Sequence, residues 1–126
     1  MLKALLVDDD MHMLDFLQKM IPWESVGFCV CGAAANGAAA LALVQARQPD
    51  VVITDVKMPV MDGLEATRRI RSGENPLGRT IPILAMTANA FLEDMQKSKE
   101  AGMDEHLSKP VDISALEQVV KRFRVT

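Results

Sequence analysis

Four short apolar runs in this chain each end on a side chain suited to holding a cation or an anion. Leu5-Leu6-Val7 runs into Asp8, Asp9 and Asp10, and Val51-Val52-Ile53-Thr54 runs into Asp55. Ile83-Leu84-Ala85-Met86 ends at Thr87, and Leu107-Ser108 ends at Lys109. Strands of a parallel sheet bury both faces and read as continuous apolar runs, and in open α/β sheets the ligand site lies beyond their carboxyl ends. Four runs ending in acid, acid, hydroxyl and ammonium therefore converge on one place. Carboxylates there suit a hard divalent cation such as Mg²⁺, and the hydroxyl and ammonium suit the oxygens of a phosphoryl group.

Three consecutive Asp residues repel one another, and a cation with oxygen ligands relieves that repulsion. Asp10 alone reads as a helix cap complementing the dipole. Asp8 and Asp9 need a further explanation, because Asp55 arrives from a separate strand. Beside Mg²⁺, the Asp55 carboxylate is a candidate nucleophile toward phosphorus. Taken singly, Thr87 also fits a cap of the next helix, and Lys109 a solvated lysine. Four strand ends fitting one reaction favour the joint reading.

The elements that must position these groups follow from periodicity. Strands are expected at 4–7, 29–33, 51–54, 81–86 and 106–107, separated by helical patterns at about 11–21, 37–47, 63–71, 89–101 and 113–123. Leu14, Leu17 and Ile21 form the apolar stripe of the first helix, which stops at Pro22. The fourth ends at Gly102, as a left-handed cap would. The fifth carries Ile113, Leu116, Val119, Val120 and Phe123 on one face. Strand then helix, five times over, implies parallel strands with right-handed crossovers and helices on both faces, a doubly wound α/β fold.

At 126 residues and 49% apolar, the chain is expected to be one globular domain spanning 1–126. Its 14 basic and 17 acidic residues, net -3, include no long basic block, which argues against direct nucleic-acid binding. A strand-like run begins almost at Met1, so no leader is expected, and no apolar stretch approaches the ~18 residues of a membrane span. A cytoplasmic protein is expected. Cys29 and Cys31, a C-x-C pair in an apolar run, read as buried reduced thiols, since no second ligand pair accompanies them. His12 reads as a solvated helix residue, the nine Met as core and loop packing, and Trp23 as the anchor of the turn after the first helix.

Together, Val7-Asp8-Asp9-Asp10, the segment from Thr54-Asp55-Val56-Lys57-Met58-Pro59 to Met61-Asp62-Gly63, Ala85-Met86-Thr87-Ala88 and Ser108-Lys109-Pro110 resemble the receiver domain of two-component response regulators. The resemblance covers the whole chain and implies a flavodoxin-like five-stranded parallel sheet in the order 2-1-3-4-5. It implies Asp55 as phosphoacceptor, Asp9 as a direct Mg²⁺ ligand, Asp8 as a ligand directly or through water, and the Lys57 carbonyl as a further ligand. Thr87 becomes the switch hydroxyl and Lys109 the phosphate-sensing lysine, with a cis peptide before Pro110. Main-chain N–H groups of Lys57 and Ala88 would hold the remaining oxygens, and Lys57 and Asn89 would border the phosphate. The implied partner is a histidine kinase or histidine phosphotransfer protein, whose phosphohistidine supplies the group. The implied output is a population shift of the helix 4, strand 5 and helix 5 surface toward a form that binds a partner or a second receiver.

The segment from Pro22-Trp23-Glu24 to Met61-Asp62-Gly63 resembles receivers of transcription regulators, whereas the part from Arg68 to Ser108-Lys109-Pro110 resembles receivers of hybrid histidine kinases. His106 stands where many receivers carry Tyr or Phe, a ring that swings inward with the threonine. Imidazole is smaller and titrates near neutrality, so a weaker or pH-sensitive switch is one reading, and a strand residue without a switching role is the other. Three rival classes fit less well. A phosphatase of the haloacid dehalogenase type would use Asp8 as nucleophile, but the extra acidic pair and cap are missing. A degenerate docking receiver would lack an acid or the lysine, and neither is lost. A flavodoxin-like FMN protein would need a Ser/Thr/Gly-rich loop where three Asp stand. The expected protein is a phosphoacceptor and not an enzyme.

Overall fold

Val, Ile and Leu crowd the runs that become the three inner strands, and each run is followed by a polar residue able to start a helix. The computed structural model describes residues 1–73, 76–87 and 92–123. Its strands are β1 (Leu2–Val7), β2 (Phe28–Ala34), β3 (Val51–Asp55), β4 (Ile83–Thr87) and β5 (Glu105–Ser108). They alternate with α1 (Met11–Met20), α2 (Gly37–Arg47), α3 (Gly63–Ser72), α4 (Leu92–Ala101) and α5 (Ile113–Arg122), and a 3-10 turn at Pro76–Arg79 precedes β4. The strands form one sheet, all parallel, in the order β2-β1-β3-β4-β5. This is the doubly wound, flavodoxin-like arrangement that the sequence implies.

The alternation of side chains along each strand divides the interior in two. Ala4, Leu6, Val51, Ile53, Leu84 and Met86 face α1 and α5, meeting Leu14, Leu17, Leu116 and Val120. Leu5, Val7, Val52, Ile83 and Ala85 face the other way, toward Ala40 and Val44 of α2 and Ile70 of α3. Every residue of β3 is buried, as befits the central strand. The register aligns Val7 with Thr54, Asp55 with Met86 and Thr87 with Ser108. The carboxyl ends of four strands therefore finish side by side.

Helix starts are capped by short polar side chains that accept from otherwise orphaned N–H groups. Asp10 accepts from the His12 and Met13 N–H groups at 2.9 and 3.4 Å, Asn36 from Ala39 at 2.9 Å, Asp62 from Glu65 at 2.8 Å, and Asp112 from Ser114 at 2.9 Å. Gly102 closes α4 with φ +110, the left-handed cap expected there. Trp23 is buried, and its Nε1 donates to the Leu17 carbonyl at 3.1 Å, anchoring the end of α1 as expected.

Several bounds differ from expectation for physical reasons. β4 starts at Ile83 rather than 81, because Pro82 has no N–H to give a ladder; its carbonyl accepts from Val52 N, while Ile83 N is taken by the Asp104 carboxylate at 2.8 Å. The start of the fourth helix at 89 lies outside the described residues. The C-x-C thiols are not buried. Cys29 is exposed and Cys31 half-buried, both free, because β2 is an edge strand of the sheet and its apolar run does not mean two covered faces.

Candidate functional site

Asp8 follows β1 directly and is fully buried, 0% exposed, whereas the next residue, Asp9, is exposed. The turn from strand into helix is held by Asp8 itself, whose Oδ1 accepts from Asp10 N at 2.9 Å. Asp10 points to the helix end and serves as its cap. One carboxylate oxygen from each of Asp8, Asp9 and Asp55 lies within 4.8 Å of the others. Asp55 ends β3 and is itself 8% exposed. Such a burial of like charges needs compensation.

Part of it comes from Lys109 beyond β5. Its Nζ sits 3.0 Å from Asp8 Oδ2 and 3.4 Å from Asp55 Oδ1. Burial alone would lower the Lys109 pKa, but the hydrogen bond it donates to Asp8 and the charge of Asp55 more than reverse this and raise it. The Asp55 carboxyl is pushed up to about 6, first by burial and next by the Asp8 charge, against the pull of Lys109. Three carboxylates against one ammonium leave two negative charges close together. A divalent cation matches that deficit, and oxygen ligands match a hard one.

The loop after Asp55 is shaped by glycines. A Cβ on Gly63 would meet the Asp55 carbonyl oxygen at 2.3 Å, and one on Gly37 would meet the Met61 carbonyl oxygen at 2.5 Å. Each glycine also donates its N–H into this loop, Gly63 to Val56 at 2.8 Å and Gly37 to Met61 at 2.7 Å. The loop carries Val60 at φ +68, 86% exposed. A β-branched residue in the left-handed region is strained, and such strain concentrates near functional sites.

Thr87 is buried at the end of β4, and its carbonyl accepts from Lys109 N at 2.8 Å, tying the hydroxyl-bearing and ammonium-bearing strand ends together. The Lys109-Pro110 peptide is cis. A cavity of about 230 Å³ opens beside Thr87 and is lined by Val56, Lys57, Asp62, Leu64, Lys97 and Ser98. Lys57, exposed, thus faces the same cavity as Thr87. Ala88 and Asn89, expected beside the phosphate, lie outside the described residues.

Lys97 and Ser98 on α4 were not singled out by sequence reasoning. They sit on a helix whose polar spacing looks like an ordinary solvated face, so no local signal marks them. Arg71 also escaped notice. Its guanidinium donates to the carbonyls of Gly78, Ile81 and Gly102 at 2.7–3.1 Å and pairs with Asp104 at 2.9 Å, fastening α3 to the turns that precede β4 and β5. His12 is exposed, as expected of a solvated helix residue.

His106 lies on β5, half-buried, with Nε2 enclosed and lacking a hydrogen-bond partner among the described residues. It lines a cavity of about 480 Å³ with Met95, Gln96, Lys99, Met103 and Asp104. That cavity is on the α4 and β5 side of the molecule and contains none of the acidic cluster.

Comparison with known proteins agrees with this geometry. The family model described as the response regulator receiver domain matches residues 4–121. The sensor histidine kinase RcsC of Salmonella typhi is 44% identical over 90 residues, which are 71% of this chain and 9% of that protein. The transcriptional regulatory protein YesN of Bacillus subtilis is 34% identical over 128 residues, 98% of this chain and 34% of that protein. The chain thus spans a small part of either relative, and both regulatory branches resembled by the sequence are represented. Among solved structures, the receiver domain of the sensor histidine kinase PA1611 from Pseudomonas aeruginosa is 34% identical, with a TM-score of 0.83 over 97% of this chain and 96% of that one. That crystal structure holds a magnesium ion in its active-site cleft. With residues 4–121 matched and the acids, hydroxyl and lysine gathered at the strand ends, the chain belongs to the response regulator receiver family.

Proposed function

We propose that residues 1–126 act as one receiver domain in which Asp55 accepts a phosphoryl group from a phosphohistidine. The observation that carries this reading is the meeting of Asp8, Asp9 and Asp55 within 4.8 Å, with Lys109 on two of them. Asp8, Asp9, Asp55 and the Lys57 carbonyl would hold Mg²⁺, and the buried carboxylates fit that ion. When bound, Mg²⁺ neutralises charge on the carboxylates and the transferring group during in-line displacement.

The remaining steps belong to the chain's own groups. An Asp55 carboxylate oxygen forms a bond to phosphorus as the nitrogen-phosphorus bond breaks, and the electron pair leaves with the imidazole. The ammonium of Lys109 then pairs with a phosphoryl oxygen, the Thr87 hydroxyl donates to a second, and main-chain N–H groups of Lys57 and Ala88 hold the rest. The phosphoryl group stays on the chain, so the domain is a stoichiometric acceptor and not an enzyme.

Receiver domains exchange phosphoryl groups with histidine kinases or phosphotransfer proteins, and we take this domain's partner to be one of them. Thr87 moving toward the phosphate would bias the α4, β5 and α5 surface, with His106 as the residue beneath it. That surface would bind a partner or a second copy of the domain, without direct contact with nucleic acid. No helix among the described residues is long and apolar enough to cross a membrane, and a cytoplasmic location fits this function.

The test is transfer from a purified kinase carrying labelled phosphohistidine. Label should appear on this chain in the presence of Mg²⁺ and be lost with EDTA or with Asp55→Asn. Transfer that persists in Asp55→Asn would overturn the assignment.

A further inference from the structure

The cavity of about 480 Å³ between α4 and β5 contains none of the groups that would take up or hold the phosphoryl group. Its volume lies in the range of about 300–1,000 Å³ that small-molecule sites occupy. Met103, which is buried, and His106, half-buried with an enclosed Nε2, line its inner part, and the exposed Met95, Gln96 and Lys99 of α4 line its mouth. Two of these side chains are thioethers. Such chains are flexible and polarisable, adapt to the shape of a ligand, and make favourable sulfur contacts with aromatic rings.

The charges around the cavity do not cancel. Asp104 contributes a carboxylate to the lining, but that group is already committed. Its Oδ2 pairs with the Arg71 guanidinium at 2.9 Å and accepts from Ile83 N at 2.8 Å. Lys99 contributes an ammonium and makes no ion pair among the described residues. Glu100, which Gln96 approaches at 3.5 Å, does not line the cavity. With Asp104 neutralised by Arg71, one uncompensated positive charge stands at the mouth of a space with an apolar interior.

We propose that this cavity binds a small aromatic carboxylate, with its ring against Met95 and Met103 and its carboxylate on the Lys99 ammonium. The ring replaces water on the two thioethers, and the acid supplies the charge that Lys99 lacks. A neutral aromatic gains only the first of these contacts, and a small hydrophilic anion only the second. Binding uses neither Asp55 nor Mg²⁺. The site is therefore an input to the domain separate from the acidic cluster, on walls contributed by α4 and β5.

The test is a titration of the full chain with 2-naphthoate followed by ¹⁵N NMR, with the neutral 2-naphthamide as its uncharged counterpart. Naphthoate should give saturable shifts at 95–106 and leave residues 8, 9 and 55 in place. Naphthamide should bind about fivefold or more weakly, and Lys99→Met should weaken naphthoate to the same degree while leaving naphthamide unchanged. Met95→Glu, which sets a like charge at the mouth, should also weaken naphthoate, and Asp55→Asn should bind it as wild type does. Both α4 changes lie at exposed helix positions, and circular dichroism checks that they fold. Absence of saturable shifts, shifts centred on the acidic cluster, or equal binding of naphthoate by Lys99→Met would overturn the proposal. So would binding that tightens on dilution of the protein, which would assign the cavity to a second copy of the chain.

Discussion

At the scale of single residues, the site is dominated by the cost of placing Asp55 and Asp8 together away from water. Asp55 is held near a pKa of about 6 against an ordinary 3.8, so the folded chain binds that proton more tightly than the unfolded chain. Stability from this group is full below the ordinary value, falls as pH rises between the two, and stays low above about 6. A shift of two units corresponds to roughly 3 kcal/mol. In the presence of EDTA, Asp55→Asn should therefore be more stable than wild type by up to about 3 kcal/mol at pH 8. The advantage should shrink toward pH 4, as read by urea unfolding at the two pH values. Lys109 is the opposite case. Lys109→Met leaves Asp8 as a buried charge without its ammonium and should cost about 2 kcal/mol or more at neutral pH, measured in the same way. Asp10, by contrast, only caps α1. Asp10→Ala should lower stability by about 1 kcal/mol and leave phosphorylation of Asp55 intact, whereas Asp9→Ala should abolish it at millimolar Mg²⁺.

At the scale of elements, the site is assembled by strand register and by two close approaches of backbone. Gly63 lets α3 begin against the Asp55 carbonyl, where a Cβ would come to 2.3 Å. Gly63→Ala must displace the loop that carries Lys57, and should cost about 1–3 kcal/mol and slow phosphorylation of Asp55, both readable on one protein preparation. The central strands were legible because β1, β3 and β4 are covered on both faces, which makes their apolar runs unbroken and their terminal polar residues conspicuous. The edge strand was misread for the same reason in reverse: Phe28 to Val30 is equally apolar, yet one flank of β2 has no neighbour, and Cys29 is exposed. Arg71 and Lys97 could not be found from sequence. A guanidinium that reaches three carbonyls across 31 residues, and an ammonium on a polar helix face that lines the cavity beside Thr87, are created only by tertiary packing. The acidic set, Thr87 and Lys109 were legible because each ends its own strand.

At the scale of the whole molecule, the acids sit at the carboxyl ends of the inner strands β1 and β3, and the larger cavity with His106 lies on the α4 and β5 side. His106 offers an enclosed Nε2 with no partner among the described residues, so its ring has little hydrogen bonding to hold it when Thr87 moves. If His106 relays the change, phosphorylation should shift amide resonances along β5 and α5 in wild type and much less in His106→Ala, by ¹⁵N NMR. Equal shifts in both would make it a bystander. All of this depends on Asp55 taking up the phosphoryl group. The direct measurement is the intact mass of the chain after incubation with acetyl phosphate and Mg²⁺. The mass should rise by one phosphoryl group, and the rise should vanish with EDTA and in Asp55→Asn. An increase that survives in Asp55→Asn but disappears in Asp8→Asn would contradict it.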